Sequence, residues 1–136
     1  MIKPINKDRM SLAQISKPAT PDDAQVVIDL LDTLKDHKED CVGMAANMIG
    51  VHKQIIAVTV GVVNVPMINP KITSKANSYS VKEGCLSLSG EHETTRYKNI
   101  EVTFLDQNFK QHTQKFNGFI AEIIQHEIDH FDGILI

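Results

Sequence analysis

The C-terminal segment from Asn117 to Gly133 most constrains how this chain can fold. Its apolar side chains recur at three- and four-residue intervals, which is the spacing of one helix face. They are Phe119, Ile120, Ile123, Ile124 and Ile128. Asn117 can cap the first turn, and Gly133 can end the helix in a left-handed conformation. The pattern predicts a helix from Gly118 to about His130, with its apolar side buried.

Three polar side chains on this predicted helix have the spacing of a metal centre. His126 and His130 are four residues apart, so their imidazoles lie on one helix face, one turn apart. Glu127 can reach a water molecule whose pKa the metal lowers, and it can accept and return that proton. The alternative is a polar helix end with two solvated histidines, which the buried isoleucines disfavour because buried ionisable groups need partners.

A catalytic metal site usually has a third protein ligand. Only six residues follow His130, and the spacing of Asp132 turns its side chain away from the ligand face. The third ligand is therefore expected upstream, which disfavours the zinc metalloproteases that place it downstream. Cys85 is the preferred candidate because Gly84 permits close approach and a thiolate is a strong metal ligand. The other upstream candidates stay open, and they are Cys41, His52, His92 and His112.

Composition restricts the partners and the compartment. The net charge is −3 and no long basic run occurs, which argues against DNA as a partner. No apolar run reaches membrane-spanning length, and the first residues lack the apolar stretch of a signal peptide. We therefore expect no membrane partner and a cytoplasmic location. A length of 136 residues, with 42% hydrophobic residues, suits one domain over residues 1–136.

The other patterns predict an α+β fold. A helix start at Thr20-Pro21 and helical spacing beyond it predict a helix from Pro21 to about His37. The apolar or alternating segments predict strands, and the polar segment from Ser74 to Ser80 predicts a loop. The strands are expected at Gln54 to Val60, Val62 to Ile68, Ile100 to Phe104 and, as the second arm of a hairpin, His112 to Phe116.

Three segments together resemble the signature motifs of the peptide deformylase family. Glu83-Gly84-Cys85-Leu86-Ser87 resembles the second motif, and Gln125-His126-Glu127-Ile128-Asp129-His130 resembles the third. Cys41 to Met48 resembles the first, which reads Gly-x-Gly-Leu-Ala-Ala-x-Gln. The resemblance implies a mixed, mostly antiparallel sheet packed around a central helix that carries the His-Glu-x-x-His motif. It also implies an enzyme that hydrolyses the N-formyl group from the initiator methionine of new proteins.

The resemblance assigns roles around one metal ion. It implies that Cys85, His126 and His130 hold one divalent ion, with water in the fourth position. Ferrous iron is the usual metal of the family, and zinc or nickel can substitute for it. Glu127 would act as base and acid, and the backbone N–H of Leu86 would stabilise the oxyanion. Gln125, Asp129 and Arg96 would be supporting residues.

The resemblance also implies how substrate binds. The substrate backbone would pair like an added strand with one segment formed by Val42, Gly43 and Met44, and with a second formed by Glu83 and Gly84. The partners would be N-formylmethionyl peptides or nascent chains, with the ribosome as a further partner.

Two positions depart from the family pattern. Met48 replaces the glutamine whose amide donates to the oxyanion, and the loss of one such donor typically costs about 3 kcal/mol. Glu122 borders the pocket for the methionine side chain and either turns to solvent or makes that pocket less suited to methionine. The leading hypothesis is therefore a deformylase-type hydrolase with reduced activity or altered preference. The competing hypothesis is a deformylase-like protein that binds metal and peptides without useful turnover.

Overall fold

A computed structural model describes residues 1–85 and 87–134, apart from the side chains of Leu88 and Ser89. It contains three α-helices, five strands and three short 3-10 helices within these ranges. The α-helices are α1 (Arg9–Leu12), α2 (Ala24–Asp36) and α3 (Gly118–Asp129). The strands are β1 (Gly43–Ala45), β2 (Ile55–Val60), β3 (Val63–Cys85), β4 (Leu88–Leu105) and β5 (Gln111–Asn117). The 3-10 helices are Pro21–Asp23, Ala46–Ile49 and His130–Asp132.

The five strands form one sheet in the order β1-β2-β3-β4-β5, and every neighbouring pair is antiparallel. The one parallel pairing within the described residues is an isolated bridge between Lys17 and Lys53. Sequential strands joined by short turns pair as neighbours because each hairpin brings its two strands together locally. The prediction of an α+β fold with a mostly antiparallel sheet is confirmed, and a C-terminal helix carries the paired histidines.

The prediction of a loop from Ser74 to Ser80 is wrong, because this segment belongs to β3. It pairs with β4 from Lys75↔Ile100 to Ser80↔Thr95. Its side chains are mostly exposed, so the segment lacks the apolar alternation from which a strand can be recognised. The long β3–β4 hairpin supplies the backbone hydrogen bonds instead, and this pairing overrides the weak strand propensity.

The core lies between the sheet and the two longer helices. α2 buries Val27, Leu30 and Leu34, as its helical spacing predicts, although Ile28 on the same helix is 44% exposed. The helical segment begins at Pro21 as predicted, but its first turn is a 3-10 helix. In this turn the Asp23 carboxylate accepts a hydrogen bond from the Thr20 N–H at 2.9 Å. No helix of the described residues is long and apolar enough to cross a membrane.

α3 buries one stripe in the core and presents another to a cleft. Ala121 and Ile124 are fully buried, whereas Phe119 is 63% exposed. The prediction that Phe119 belongs to the buried side is therefore wrong. Phe119 precedes Ile123 by four residues and lies on the stripe that lines the cleft. Asn117 stands at the N-cap position without the predicted side-chain hydrogen bond.

Gly133 ends the helical segment and offers a stability test. Its φ is +71°, as predicted for a helix end, and an added Cβ would overlap the backbone of Ala13. Gly50 is a matched control because its φ is +85° while no atom lies within 4 Å of an added Cβ. We expect Gly50→Ala to lower the free energy of unfolding by roughly 1–2 kcal/mol through its left-handed backbone alone. Gly133→Ala should cost about 1–3 kcal/mol more because of the overlap. Urea denaturation measures both, and equal losses would contradict the close packing.

Candidate active site

Three ligand-type side chains meet where the end of β3 contacts α3. Cys85 is the last residue of β3, and His126 and His130 lie on successive turns of α3 and the 3-10 helix that follows it. Their ligand atoms all lie within 4.8 Å of one another. The Cys85 Sγ is 3.6 Å from the His130 Nε2, and the two imidazole centroids are 5.0 Å apart. One thiol and two imidazoles at this separation suit a single transition-metal ion.

Glu83 orients the first of these histidines. The His126 Nδ1 donates to the Glu83 Oε1 at 2.8 Å, which leaves Nε2 free to face the Cys85 side. Arg96 binds the same carboxylate from the other side, with Nη2 donating to Oε1 at 2.7 Å. A carboxylate behind a ligating histidine fixes its tautomer and the direction of its ring. Glu83 therefore contributes its side chain to the histidine rather than to the cleft.

Arg96 connects this carboxylate to the end of α3. It is 3% exposed, and its Nη1 donates to the Asp129 Oδ2 at 2.5 Å. Gln125 attaches the middle of α3 to β4, since its Oε1 accepts from the Tyr97 N–H and its Nε2 donates to the Tyr97 carbonyl, both at 2.8 Å. These contacts hold α3 at a defined distance from the β3–β4 hairpin. Arg96, Asp129 and Gln125 thus occupy supporting positions around the histidines.

The charges around the histidines favour a cation. Burial opposes ionisation of Glu83, but hydrogen bonds from His126 and Arg96 lower its pKa to about 2. Burial likewise acts to lower the pKa of His126, and the adjacent Cys85 and Glu83 side chains overcome it and raise that pKa to about 10. Burial and the charge of His126 lower the pKa of His130 to about 3. His130 is therefore neutral, the state in which imidazole binds metals.

Glu127 is buried beside the two histidines. It is 4% exposed, and burial raises the pKa of its carboxyl group to about 7. The Glu127 Oε1 has no hydrogen-bond partner among the described residues, and it lies 3.8 Å from the His130 Nε2. An orphaned buried carboxylate oxygen is unusual and points to a ligand or water molecule as its partner. A pKa near neutrality suits a group that both accepts and returns a proton.

The absence of a side chain at Gly43 makes room for this carboxylate. A Cβ at this position would lie 3.0 Å from the Glu127 Oε2 and would overlap the Ile123 side chain. β1 can therefore approach α3 closely only with glycine at this position.

The other predicted third ligands lie outside this group. Cys41 lines the same cleft, but its thiol donates to the Gly43 carbonyl at 2.9 Å, and burial raises its pKa to about 12. The His52 Nε2 contacts the Ser11 backbone, and His112 contacts Asp106. His92 is paired with Glu83 across the hairpin, and none of these side chains joins the Cys85, His126 and His130 group. The geometry thus distinguishes Cys85 from the alternatives.

A cleft of about 460 Å³ opens beside these residues. The predicted substrate contacts Val42, Gly43, Glu83, Gly84 and Glu122 all line it. Met44 instead lies fully buried in the core, pairs with Ala57 of β2 and does not line the cleft. Leu86, the predicted backbone donor to the oxyanion, lies outside the described residues.

Met48 lines the cleft but offers no donor. It is 1% exposed, and its Sδ accepts a long hydrogen bond from the Ala45 N–H at 3.4 Å. A thioether sulfur is a weak acceptor and cannot donate. The side chain thus packs as an apolar residue beside Glu127 and the cleft.

Sequence reasoning missed two side chains that shape the site. Tyr79 donates its hydroxyl to the Glu122 Oε1 at 3.0 Å, and the Asn47 Nδ2 donates to the His130 carbonyl at 3.1 Å. Tyr79 was hidden in the segment predicted as a loop, although Ile72, Tyr79 and Val81 are residues that favour strands. No local signal pointed to Asn47, because its partner lies 83 residues away.

Comparison with known proteins identifies the family. The family model for polypeptide deformylase matches residues 2–136. A peptide deformylase of Clostridium beijerinckii is 57% identical over 136 residues, covering 100% of both chains. A peptide deformylase structure from Legionella pneumophila superimposes with a TM-score of 0.89 at 32% identity, covering 99% of this chain and 83% of that one.

A second similar structure contains a peptide. It is the Met-Ala-Ser-bound class I type b peptide deformylase of Acinetobacter baumannii, with a TM-score of 0.89 at 26% identity, covering 99% of this chain and 97% of that one. The fold, the family and the hydrolase class predicted from the three motifs are confirmed by these matches. The chain belongs to the polypeptide deformylase family, whose members are metallohydrolases that remove formyl groups.

Proposed function

We propose that residues 1–136 act as one catalytic domain that removes the N-formyl group from N-formylmethionyl peptides, including nascent chains. The main support is the convergence of three ligand-type side chains and the buried Glu127 beside a peptide-sized cleft. The Met-Ala-Ser complex of the Acinetobacter relative supports peptide binding. Formylated nascent chains would be met in the cytoplasm and at the ribosome, and we expect neither DNA nor a membrane to be a partner.

We propose that Cys85, His126 and His130 hold one divalent metal ion, with ferrous iron as the native ion and zinc or nickel as substitutes. The neutral state of His130 and the orientation of His126 by Glu83 support this assignment. When bound, such an ion acts as a Lewis acid that lowers the pKa of a water molecule and polarises a carbonyl group.

Glu127 would perform the proton transfers. Its orphaned Oε1 is positioned to accept a proton from the attacking water molecule, and the carboxyl group would return it to the departing amine nitrogen. The apolar surroundings keep its pKa near neutrality, so both steps are accessible at the same pH. Because Gly43 and Ile123 pack against it, the carboxylate is held in place before substrate arrives.

The peptide backbone would bind at the free edge of β1. This strand pairs on one side with β2 and is the first strand in the sheet order. Its other edge faces the cleft through Val42 and Gly43, opposite Glu83 and Gly84. An extended peptide can therefore add to the sheet edge through backbone hydrogen bonds.

The oxyanion would be stabilised less well than in relatives that carry the family's glutamine. The backbone N–H of Leu86 is the proposed donor, and Met48 cannot supply a second one. This observation favours an enzyme of reduced rate. It also supports the second candidate function, a deformylase-like protein that binds metal and peptides with little turnover.

The metal assignment predicts different effects for the two cysteines of the cleft. Cys85→Ser should reduce the bound metal well below one ion per chain, because it removes the thiolate ligand. Cys41→Ser is the matched control and should keep the stoichiometry of the wild type, since Cys41 lies outside the ligand group. Metal content after anaerobic purification and dialysis provides the measurement. Full occupancy in Cys85→Ser would contradict the assignment.

The role of Glu127 predicts a loss of rate without a loss of metal. Glu127→Gln keeps the shape of the side chain but cannot accept a proton, so kcat for formate release from formyl-Met-Ala-Ser should fall by about 10²–10⁴-fold. Asp132→Asn alters an exposed side chain on the following 3-10 helix and serves as the control. A kcat within a factor of about three of the wild type in Glu127→Gln would remove Glu127 from the mechanism.

The missing oxyanion donor predicts a gain of function. In Met48→Gln the amide oxygen can replace the sulfur as acceptor for the Ala45 N–H, while the amide N–H faces the cleft. We expect kcat to rise by about tenfold or more, since one oxyanion donor is typically worth 10²–10³ in rate. Met48→Leu, which adds no donor, should show no rise. An equal or lower kcat in Met48→Gln would mean that another group already fills this role.

A further inference from the structure

The junction between β5 and α3 contains an Asn-Gly pair that the proposed function does not use. Asn117 is the last residue of β5 and the N-cap of α3, and Gly118 is the first residue of that helix. Both residues are exposed. An asparagine at an N-cap commonly accepts a hydrogen bond from the backbone of the first turn, but within the described part of the chain Asn117 makes no such bond. Its carboxamide is therefore not held in place by a cap.

Gly118 leaves its own backbone nitrogen unshielded. It has no Cβ, and no atom of the described residues outside the adjoining segment lies within 4 Å of the place that a Cβ would take. As the first residue of the helix, it has an N–H without an intrahelical acceptor. Asn117 is extended, with φ −142° and ψ 170°, so contact between its side chain and this nitrogen requires a rotation about its Cα–C bond. The open surroundings of Gly118 permit that rotation.

An Asn-Gly pair in this setting can modify itself without an enzyme. The Gly118 nitrogen attacks the side-chain carbonyl carbon of Asn117, and the new C–N bond closes a succinimide ring. The C–NH2 bond of the side chain breaks, and the amide group leaves as ammonia with the proton of the attacking nitrogen. Water then opens the ring at either carbonyl group, which gives aspartate or isoaspartate. No electrons are exchanged, and water is the single co-reactant.

The other asparagines of the chain lack this combination. None of them precedes a glycine. The side-chain amides of Asn6, Asn47 and Asn69 donate to backbone carbonyl groups, and the Asn64 side chain accepts from a threonine hydroxyl. These contacts restrain the carboxamides, and a larger following residue shields the backbone nitrogen.

Asp132 and Gly133 form a similar pair in the opposite setting. The Gly133 N–H donates to the His130 carbonyl at 3.2 Å, and an added Cβ would overlap the backbone of Ala13. The nitrogen is therefore engaged in a hydrogen bond, and its segment is packed against another part of the chain. Ring closure there would have to break both interactions.

We propose that Asn117 is a self-modification site, which is converted through a succinimide with Gly118 into aspartate and isoaspartate. Either product places a negative charge at the first turn of α3, where the positive end of the helix dipole favours it. Isoaspartate also adds one methylene group to the backbone between β5 and α3 and so displaces the first turn. The two products thus act on the helix in opposite directions. The inference does not depend on the proposed function.

Peptide mapping of aged protein tests the site. Metal-loaded protein is kept anaerobically at physiological temperature and neutral pH and is then digested with trypsin, which cuts before Phe116. Asn117 is the single asparagine of the peptide that begins there. Fragmentation locates the mass gain from the exchange of NH2 for OH, and isoaspartyl methyltransferase labels the isoaspartate. We expect position 117 to be converted faster than every other asparagine. No conversion at this position, or faster conversion at another asparagine, would overturn the inference.

Two variants test the chemistry and the role of the setting. Asn117→Gln keeps a carboxamide, but its longer side chain disfavours ring closure, so the isoaspartate label at this position should be lost. The Asp132→Asn variant creates a second Asn-Gly pair in the packed setting of Gly133. In that chain, conversion at Asn117 should be faster than at position 132. Equal rates at the two positions would overturn the assignment of selectivity to the open surroundings of Gly118.

Urea denaturation tests the effect on α3. Asn117→Asp carries the aspartate product and should have a higher urea midpoint than the wild type, because the carboxylate lies at the positive end of the helix dipole. Aged wild-type protein enriched in isoaspartate should have a lower midpoint than fresh protein. Aged Asn117→Gln is the control for other damage and should keep the midpoint of its fresh form. Identical midpoints in fresh protein, aged protein and Asn117→Asp would overturn the effect on the helix.

Discussion

The Glu83 carboxylate is the interaction on which the site depends. It accepts from the His126 Nδ1 and from the Arg96 guanidinium, and so connects β3, β4 and α3 at one buried point. Arg96 extends the network to Asp129 at the end of α3. A buried charge that loses its partner typically costs 3–5 kcal/mol, so each member of this network holds the others in place. The same contacts that dock the helix also set the direction of the first histidine ring.

A second constraint is the close approach of β1 to α3. Gly43 leaves space for Ile123 and Glu127, and the resulting dry environment raises the pKa of Glu127 to about 7. The same strand offers its unpaired edge to the cleft. The lack of a side chain at Gly43 lets β1 pack closely against α3. The same close packing excludes water from the Glu127 carboxylate.

Two departures of this chain from its family pattern lie in the lining of the cleft. Met48 and Glu122 both line the cleft, and the Glu122 carboxylate accepts from the Tyr79 hydroxyl. Glu122 interacts with the Glu83 carboxylate, which contributes to its raised pKa, whereas Met48 contacts only the Ala45 N–H among the described backbone donors. The three ligand-type side chains and Glu127 match the family motifs, so the fold and this cluster are retained while the lining of the cleft differs.

Much of the catalytic helix was determined by the sequence alone. The spacing of the isoleucines defined α3, and the four-residue interval placed His126 and His130 on one face, because helical periodicity is a local property. The Ser74–Ser80 part of β3 was missed because its polar side chains do not show the alternation of a strand. Its extended conformation is stabilised by backbone pairing with β4. Only the tertiary structure decided that Cys85 joins the histidines while Cys41 does not, that the Tyr79 hydroxyl donates to Glu122, and that the Asn47 amide donates to the His130 carbonyl. These relations join residues far apart in the chain, and only the packing of strands against a helix brings them within contact distance.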